Sequence, residues 1–310
     1  MPTATDTRTV RSGEVTLLVR SAGDAARPTV VLVHGYPDTQ GVWAPVVARL
    51  ASRFHVVTYD VRGAGGSSAP RGHAAYHLDR LADDFDAVCR AVAEGGPARP
   101  VHLVGHDWGG IQGWDFVTRP RFAGRVASFT SVAGPALGHA LGATRAAVRG
   151  RDLPRAVDRA RRSWYIVPLC LPGGPTLIWK VALAGNRWGR WLTKVEGLTL
   201  DEAYPAPTAS SDGWHGAKLY RANIPHRLIR HIPPAPAHAP VQLIIPTGDR
   251  FISASYYDAA ARVAPGLRRH EVPGSHWMPR AQPDLIAARV AEFVEETEAA
   301  TSDQDVPRRL

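Results

Sequence analysis

The sequence predicts an α/β fold: a mostly parallel central sheet flanked by helices, with a helical segment inserted into it. Three observations carry that expectation. Short β-branched runs such as Thr29–Val33, His55–Tyr59 and Val101–Val104 alternate with helical spacing through about residue 135. Runs that are apolar at every position mark strands covered on both faces. From about 136 to 236 the strand signals stop, and Trp, Pro and Gly accumulate; at Val241 the alternation resumes. The pattern is that of a doubly wound sheet interrupted once. The expected organisation is therefore 1–135 for the first part of the core, 136–236 for a helical lid, and 237–310 for the second part of the core.

Taken in order, residues 1 to about 12 read as a loose polar arm. Glu14–Arg20 partly alternates and reads as an early strand, and 22–28 as a turn. Thr29–Val33 is a buried strand ending in His34-Gly35-Tyr36-Pro37. Gln40–Leu50 has helical spacing, His55–Tyr59 is the next strand, and it opens into the glycine-rich loop Asp60–Ser67. Leu78–Ala93 is a helix with Leu81, Phe85, Val88 and Val92 on one face. Then come the strand from Val101, a helix over 109–118 and a strand over Val126–Val132. After the helical lid, Ile232–Pro240 reads as a stiff proline-rich linker. Val241–Ile245 is a strand, 255–263 a helix, Leu267–Val272 a strand and Pro283–Glu298 an amphipathic helix. The last dozen residues read as frayed.

Composition excludes several classes. The chain has 310 residues, 45% hydrophobic and 21% charged, and a net charge of +9. The excess is almost all Arg, with Lys only at 180, 194 and 218. No basic run reaches five residues, so nucleic acid is not an expected partner. Cys89 and Cys170 lie far apart and read as buried thiols in a reducing compartment. With no apolar leader at the N-terminus, the expected location is cytoplasmic. The apolar stretch Trp164–Ala184 is broken by Pro168, Pro172 and Pro175 and contains Lys180. It suits a lid or interfacial surface better than a membrane span. No metal-ligand spacing appears, and the glycine loop at 63–66 lacks the Gly-Lys-Ser/Thr of a phosphate-binding loop. Neither a metal nor a cofactor is expected.

The chemistry is concentrated at strand ends. Gly105-His106-Asp107-Trp108-Gly109 follows a strand and opens a helix, the form of a nucleophile elbow, with Asp where Ser is usual. Asp249 and His276 follow later strands, giving the order nucleophile, acid, histidine. Taken alone, Asp107 also fits a helix N-cap, Asp249 a turn residue, with Asp258 as a weaker substitute acid, and His276 a buried structural histidine. Three loops in triad order favour catalysis over all three alternatives. A carboxylate is a poor acyl acceptor but can displace a leaving group at saturated carbon, giving an ester. His276, oriented by Asp249, would activate the water that cleaves it. The amides of Trp108 and Tyr36 are the expected oxyanion donors.

Four motifs together, His34-Gly35-x-Pro37, the Asp60-x-Arg62-Gly63-x-Gly65-x-Ser67 loop, the elbow and Gly274-Ser275-His276, resemble the α/β-hydrolase fold across nearly the whole chain. Within that fold the sequence resembles epoxide hydrolases. Tyr165 lies seven residues before Pro172-Gly173, and Tyr220-Arg221-x-Asn223 follows later, the spacing of that family's two lid tyrosines. The resemblance implies that Tyr165 and Tyr220 donate to an epoxide oxygen and that Tyr36, Trp108, Trp164 and Trp277 contact substrate. Ala82–Val88 and Arg125–Val132 resemble the hydrolase part of a bacterial subfamily. Some members carry a second, short-chain dehydrogenase domain, for which this chain leaves no room. The implied substrate is a small lipophilic epoxide, and a homodimer is compatible with the reading. A haloalkane dehalogenase using the same Asp-His-Asp triad remains open, as does a non-catalytic small-molecule-binding protein of the same fold; an esterase fits Asp107 poorly.

Overall fold

The protein is described by a computed structural model covering residues 5–94, 99–229 and 235–305. Eight strands form one sheet: β1 (Thr5–Ser12), β2 (Val15–Ala22), β3 (Thr29–Val33), β4 (His55–Tyr59), β5 (Val101–His106), β6 (Val126–Val132), β7 (Val241–Pro246) and β8 (Arg268–Val272). Their order is β1-β2-β4-β3-β5-β6-β7-β8. Strand β2 runs antiparallel to both its neighbours, and every pair from β4 to β8 is parallel. The central strands β4, β5 and β7 are buried at every position, including the polar Thr58, His102 and Gln242.

Helices cover both faces: α1 (Ala44–Leu50), α2 (Leu78–Ala93) and α3 (Trp108–Phe116) follow β3, β4 and β5. Helix α2 turns Leu81, Phe85 and Val88 inward, and the Phe85 ring stacks on Phe116 of α3 with centroids 4.8 Å apart. The C-terminal helix, Pro283–Asp305, buries Ile286, Val290 and Val294 on the other side of the sheet, beside α1.

Between β6 and β7 the described chain is a helical insertion. It comprises α4 (Leu137–Arg149), α5 (Leu153–Ser163), α6 (Ile166–Cys170), two π-helical segments (Leu177–Ala182 and Leu192–Glu196) and a long helix, Ala209–Ile229. Short pieces replace long helices here because Pro168, Pro172, Gly173, Gly174 and Pro175 punctuate the chain.

Four expectations change. The N-terminal arm is strand β1, paired with β2 over all eight residues. It is an edge strand with only Val10 and Ser12 buried, so its composition carries no core signal. The final helix continues past Glu298 to Asp305. No Gly or Pro interrupts the sequence before Pro307, and the Thr301 and Ser302 hydroxyls donate back to carbonyls one turn earlier. The segment expected as a helix over 255–263 holds two 3₁₀ turns instead, Ala254–Tyr257 and Ala260–Arg262, since the run before Pro265-Gly266 is short for a nucleated α-helix. Cys89 is buried, its thiol pushed up to about 12 by burial, but Cys170 is only half-buried at the edge of α6. The proposed linker Ile232–Pro240 falls partly outside the described residues.

Candidate active site

The elbow is built by close packing. Asp107 has φ 52° and ψ −119°, a conformation unfavourable for a residue with a side chain. It is held between β5 and α3, where a side chain on Gly105 would collide with the Gly109 carbonyl and one on Gly109 with the Val33 carbonyl. Only glycine at both positions lets α3 approach the strands, which lifts the Asp107 side chain above the sheet.

Three loops converge there. The Asp107 Oδ2 atom lies 3.6 Å from His276 Nε2, and His276 Nδ1 lies 2.7 Å from Asp249 Oδ2. The other Asp249 oxygen accepts the amides of Phe251 and Ile252 at 2.7 and 3.0 Å, an Asx turn that fixes the carboxylate toward His276. All three side chains are buried. Burial opposes the charged imidazole, but the charge and hydrogen bond of Asp249 and the nearby Asp107 carboxylate outweigh it and raise the His276 pKa well above the ordinary histidine value. The substitute acid, Asp258, instead pairs with Arg269 at the surface.

The Tyr36 amide donates to Asp107 Oδ1 at 2.6 Å. Gly35 makes that approach possible, since any side chain on it would overlap the Asp107 carboxylate. His34 holds the same loop: its Nε2 accepts the Val61 amide at 2.8 Å, so the proton sits on Nδ1 and is donated to the Gly35 carbonyl at 2.9 Å. Trp108 opens α3 directly after Asp107, but no hydrogen bond joins its amide to Asp107 among the described residues.

Above Asp107 lies a cavity of about 310 Å³ walled mainly by aromatic and aliphatic side chains. Tyr36, Trp164, Tyr165, Tyr220, Phe251 and Trp277 line it together with Asp107 and His276. Tyr165 and Tyr220 stand edge to face, with ring centroids 6.0 Å apart. Burial, with the Asp107 charge adding to it, raises the Tyr165 pKa beyond the ordinary phenol value; burial, with the Tyr165 phenol next, does the same for Tyr220. Both are therefore held as O–H donors. Trp108 is not among the residues that line the cavity; its ring stands edge to face with Tyr220, which does line it, with centroids 5.0 Å apart.

Three further residues were not singled out from sequence. Asp38 is buried and accepts the Tyr204 hydroxyl at 2.7 Å and the Trp277 indole N–H at 2.8 Å. Burial lifts its carboxyl to about 7 against those two donors. It ties the Tyr36 loop to the helical insertion and to the residue after His276. Glu196, from the insertion, accepts the His276 backbone amide at 3.2 Å, and burial raises its carboxyl. His106 lies 2.9 Å from the His276 carbonyl through Nε2, and burial lowers its pKa to about 4, so it is neutral and donates. His276 is thus gripped at both its amide and its carbonyl. Adjacency to the His34–Pro37 motif was the only sequence signal for Asp38, and Glu196 has none, because its partner lies eighty residues away.

The glycine-rich loop holds no ligand-facing cradle. Its Gly65 and Gly66 amides donate to Asp212 and Asp60, and Arg62 makes two 2.6 Å hydrogen bonds to buried Asp84. Among the described residues no cluster of three metal-ligating side chains occurs, and no helix is long and apolar enough to cross a membrane.

A mostly parallel sheet, an acid–base constellation at its strand ends and a helical insertion over it define the α/β-hydrolase fold, and this chain has it. Residues 28–155 match the family model described as alpha/beta hydrolase fold. The chain aligns with the Bacillus megaterium epoxide hydrolase solved with an inhibitor at a TM-score of 0.74, covering 93% of this chain and all of that one at 21% identity. Its resemblance to epoxide hydrolases extends to sequence. Epoxide hydrolase A of Mycobacterium tuberculosis is 37% identical over 131 residues, 42% of this chain and 39% of that protein. The probable oxidoreductase EphD of the same organism is 37% identical over 290 residues, 91% of this chain. The chain spans 48% of that relative's length.

Proposed function

We infer that the protein is a cofactor-independent epoxide hydrolase that converts a lipophilic epoxide to a vicinal diol through an ester on Asp107. Two Tyr side chains that keep their phenolic protons, Tyr165 and Tyr220, line the cavity together with Asp107, and that observation carries the reading. Two of the indoles beside them are engaged elsewhere: Trp179 donates to the Tyr36 hydroxyl at 2.5 Å and Trp277 to Asp38 at 2.8 Å. A departing halide needs free N–H donors, whereas an opening epoxide needs an acidic O–H, because its alkoxide stays attached and must gain a proton. Tyr165 and Tyr220 supply the latter, which favours epoxide opening over dehalogenation. The kinship with Epoxide hydrolase A points the same way. The oxidoreductase name belongs to a relative about twice as long.

In this mechanism the two Asp107 oxygens have different tasks. Oδ1 is engaged by the Tyr36 amide, so Oδ2 attacks the ring carbon. The C–O bond of the epoxide breaks, and its oxygen takes a proton from Tyr165 or Tyr220. Oδ1 becomes the ester carbonyl, already seated on its donor for the tetrahedral intermediate that follows. Esterification removes the Asp107 charge, one of the influences that hold the proton on His276. The imidazolium then yields its proton to the phenolate left by ring opening, takes a proton from water as a neutral base, and the hydroxide adds to the ester carbonyl. Collapse expels the second diol oxygen as an alkoxide, which takes the proton of the Asp107 carboxylic acid, so the diol leaves with Asp107 ionised and His276 protonated as at the start. The helical insertion acts as the lid that keeps bulk water from the ester.

The test is diol formation across small aromatic, terpenoid and long-chain epoxides, with Asp107→Ala as the blank. The reading expects diol from at least one class and none from the variant. Halide release from haloalkanes with no diol from any epoxide would overturn it in favour of dehalogenation; tight ligand binding with neither product would favour a binding protein.

A further inference from the structure

The chain's charge is distributed unevenly. Residues 136–236 contain fifteen Arg and Lys against six Asp and Glu, a net +9, while the remaining residues hold twenty-two of each sign. The whole formal charge of the protein therefore resides in the helical insertion. Exposed apolar side chains follow the same division. The large hydrophobic residues left exposed, from Val148 to Leu228, all belong to that segment among the described residues. A soluble surface ordinarily scatters such residues singly.

Here they form stripes. Leu153, Val157, Arg161 and Trp164 recur at helical spacing along α5 and its end, and all are exposed. Val167 and Leu171 continue the stripe through α6, and Leu177 and Val181 repeat it one turn apart on the next π-helical segment. Trp164 is 69% exposed yet lines the cavity above Asp107, so it stands at the mouth. Arg149, Arg151, Arg161, Lys180, Arg187, Arg190 and Lys194 are exposed on the same insertion, and none of the seven pairs with a carboxylate among the described residues. Exposed apolar side chains alternating along the same segments with unpaired cations, with a Trp at the cavity mouth, match the layered chemistry of an anionic bilayer surface: hydrocarbon within, phosphate at its edge.

We propose that this face of the helical insertion docks on an anionic lipid bilayer, with Leu153, Val157, Trp164, Val167, Leu177 and Val181 entering the headgroup boundary. Docking places the cavity mouth against the hydrocarbon, where a lipophilic substrate concentrates. That delivery route rests on the epoxide hydrolase reading; the docking surface does not.

The full-length protein is sedimented with vesicles of phosphatidylcholine alone and with vesicles of phosphatidylcholine and phosphatidylglycerol in equal parts. Binding is expected only to the second, and to be lost near 1 M salt, where the screening length falls to about 3 Å. Arg161→Gln and Lys180→Gln should each weaken binding on the order of fivefold. Leu153→Ser with Leu177→Ser should weaken it at least as much. All four substitutions lie on exposed positions, and an unchanged Tm verifies folding independently of activity. Equal partition to both vesicles, or none to either, would overturn the proposal. So would binding that depends on the cations but not on Leu153 and Leu177, since a soluble polyanion would then be the partner. A shift to monomer in the Leu153→Ser, Leu177→Ser protein, without loss of vesicle binding, would assign the face to a second copy of the chain instead. If vesicles bind as expected but no epoxide is turned over, the activity reading fails and the surface stands.

Discussion

The backbone amide of Tyr36 donates to the Oδ1 atom of Asp107 at 2.6 Å across seventy-one residues of chain. This single bond makes the two Asp107 oxygens inequivalent before any substrate arrives, one held by an amide and one that the proposed mechanism uses to attack. It depends on Gly35 having no side chain. Gly35→Ala should displace the carboxylate from its donor and lower kcat by about 10²–10³, the cost of one oxyanion donor. Steady-state kinetics with a Tm measurement would check this; wild-type kcat in a folded variant would mean that the Tyr36 amide takes no part.

The two tyrosines should divide one task. Tyr165→Phe or Tyr220→Phe alone leaves one acidic donor and should slow ester formation, while the double variant should lose at least about 10² in the ring-opening rate, the low end of general acid catalysis. Rapid-quench measurement of the alkylation step separates this from later steps. Full activity in the double variant would remove both residues from the mechanism.

In the proposed mechanism Asp249 acts on the second step. Asp249→Asn leaves the nucleophile intact but removes the charge that orients His276 and sustains its proton affinity. Ester formation should persist and its hydrolysis slow by about 10⁴, the effect known for the corresponding change in a Ser-His-Asp triad. Intact-protein mass spectrometry should then find the enzyme carrying one substrate mass. In the wild-type enzyme the ester-hydrolysis rate should rise with pH, because His276 must lose its proton to act and neighbouring carboxylate raises its pKa. A flat profile for that step would show that His276 is not the base.

Asp38 provides a stability test with a defined sign. Its folded pKa, about 7, lies above the ordinary aspartate value of 3.8, so folding favours its neutral form. Its contribution is fully present below the unfolded pKa and is lost as pH rises through the folded one. Asp38→Asn cannot ionise. Thermal melts should therefore show the variant gaining on wild type between about pH 4 and about pH 7, whatever its offset at the lower value. A pH-independent difference would mean that the carboxyl is ionised throughout.

Much of this arrangement was legible because it is local. β5 and the elbow announce themselves through a buried run followed by Gly105 and Gly109, whose glycine identity is dictated by backbone approach. Asp249 and His276 were found because each follows a strand end, and Tyr165 and Tyr220 because a family resemblance supplied their spacing. Strand β1 was missed because an edge strand with two buried residues looks like any polar segment. The grip on His276 was missed for a different reason: Glu196, Asp38 and His106 matter through contacts that only the tertiary fold creates. The placement of Trp108 edge to face with Tyr220 likewise depends on how the helical insertion seats on α3, which no spacing encodes.

The central claim is that Asp107 forms a covalent ester whose acyl oxygen is exchanged with water. A single turnover in ¹⁸O-labelled water, with enzyme in excess over an epoxide found in the screen, tests it most directly. The account predicts unlabelled diol in that turnover and label in the peptide containing Asp107. Label in the diol with none in Asp107 would mean that water attacks the epoxide directly, and would contradict it.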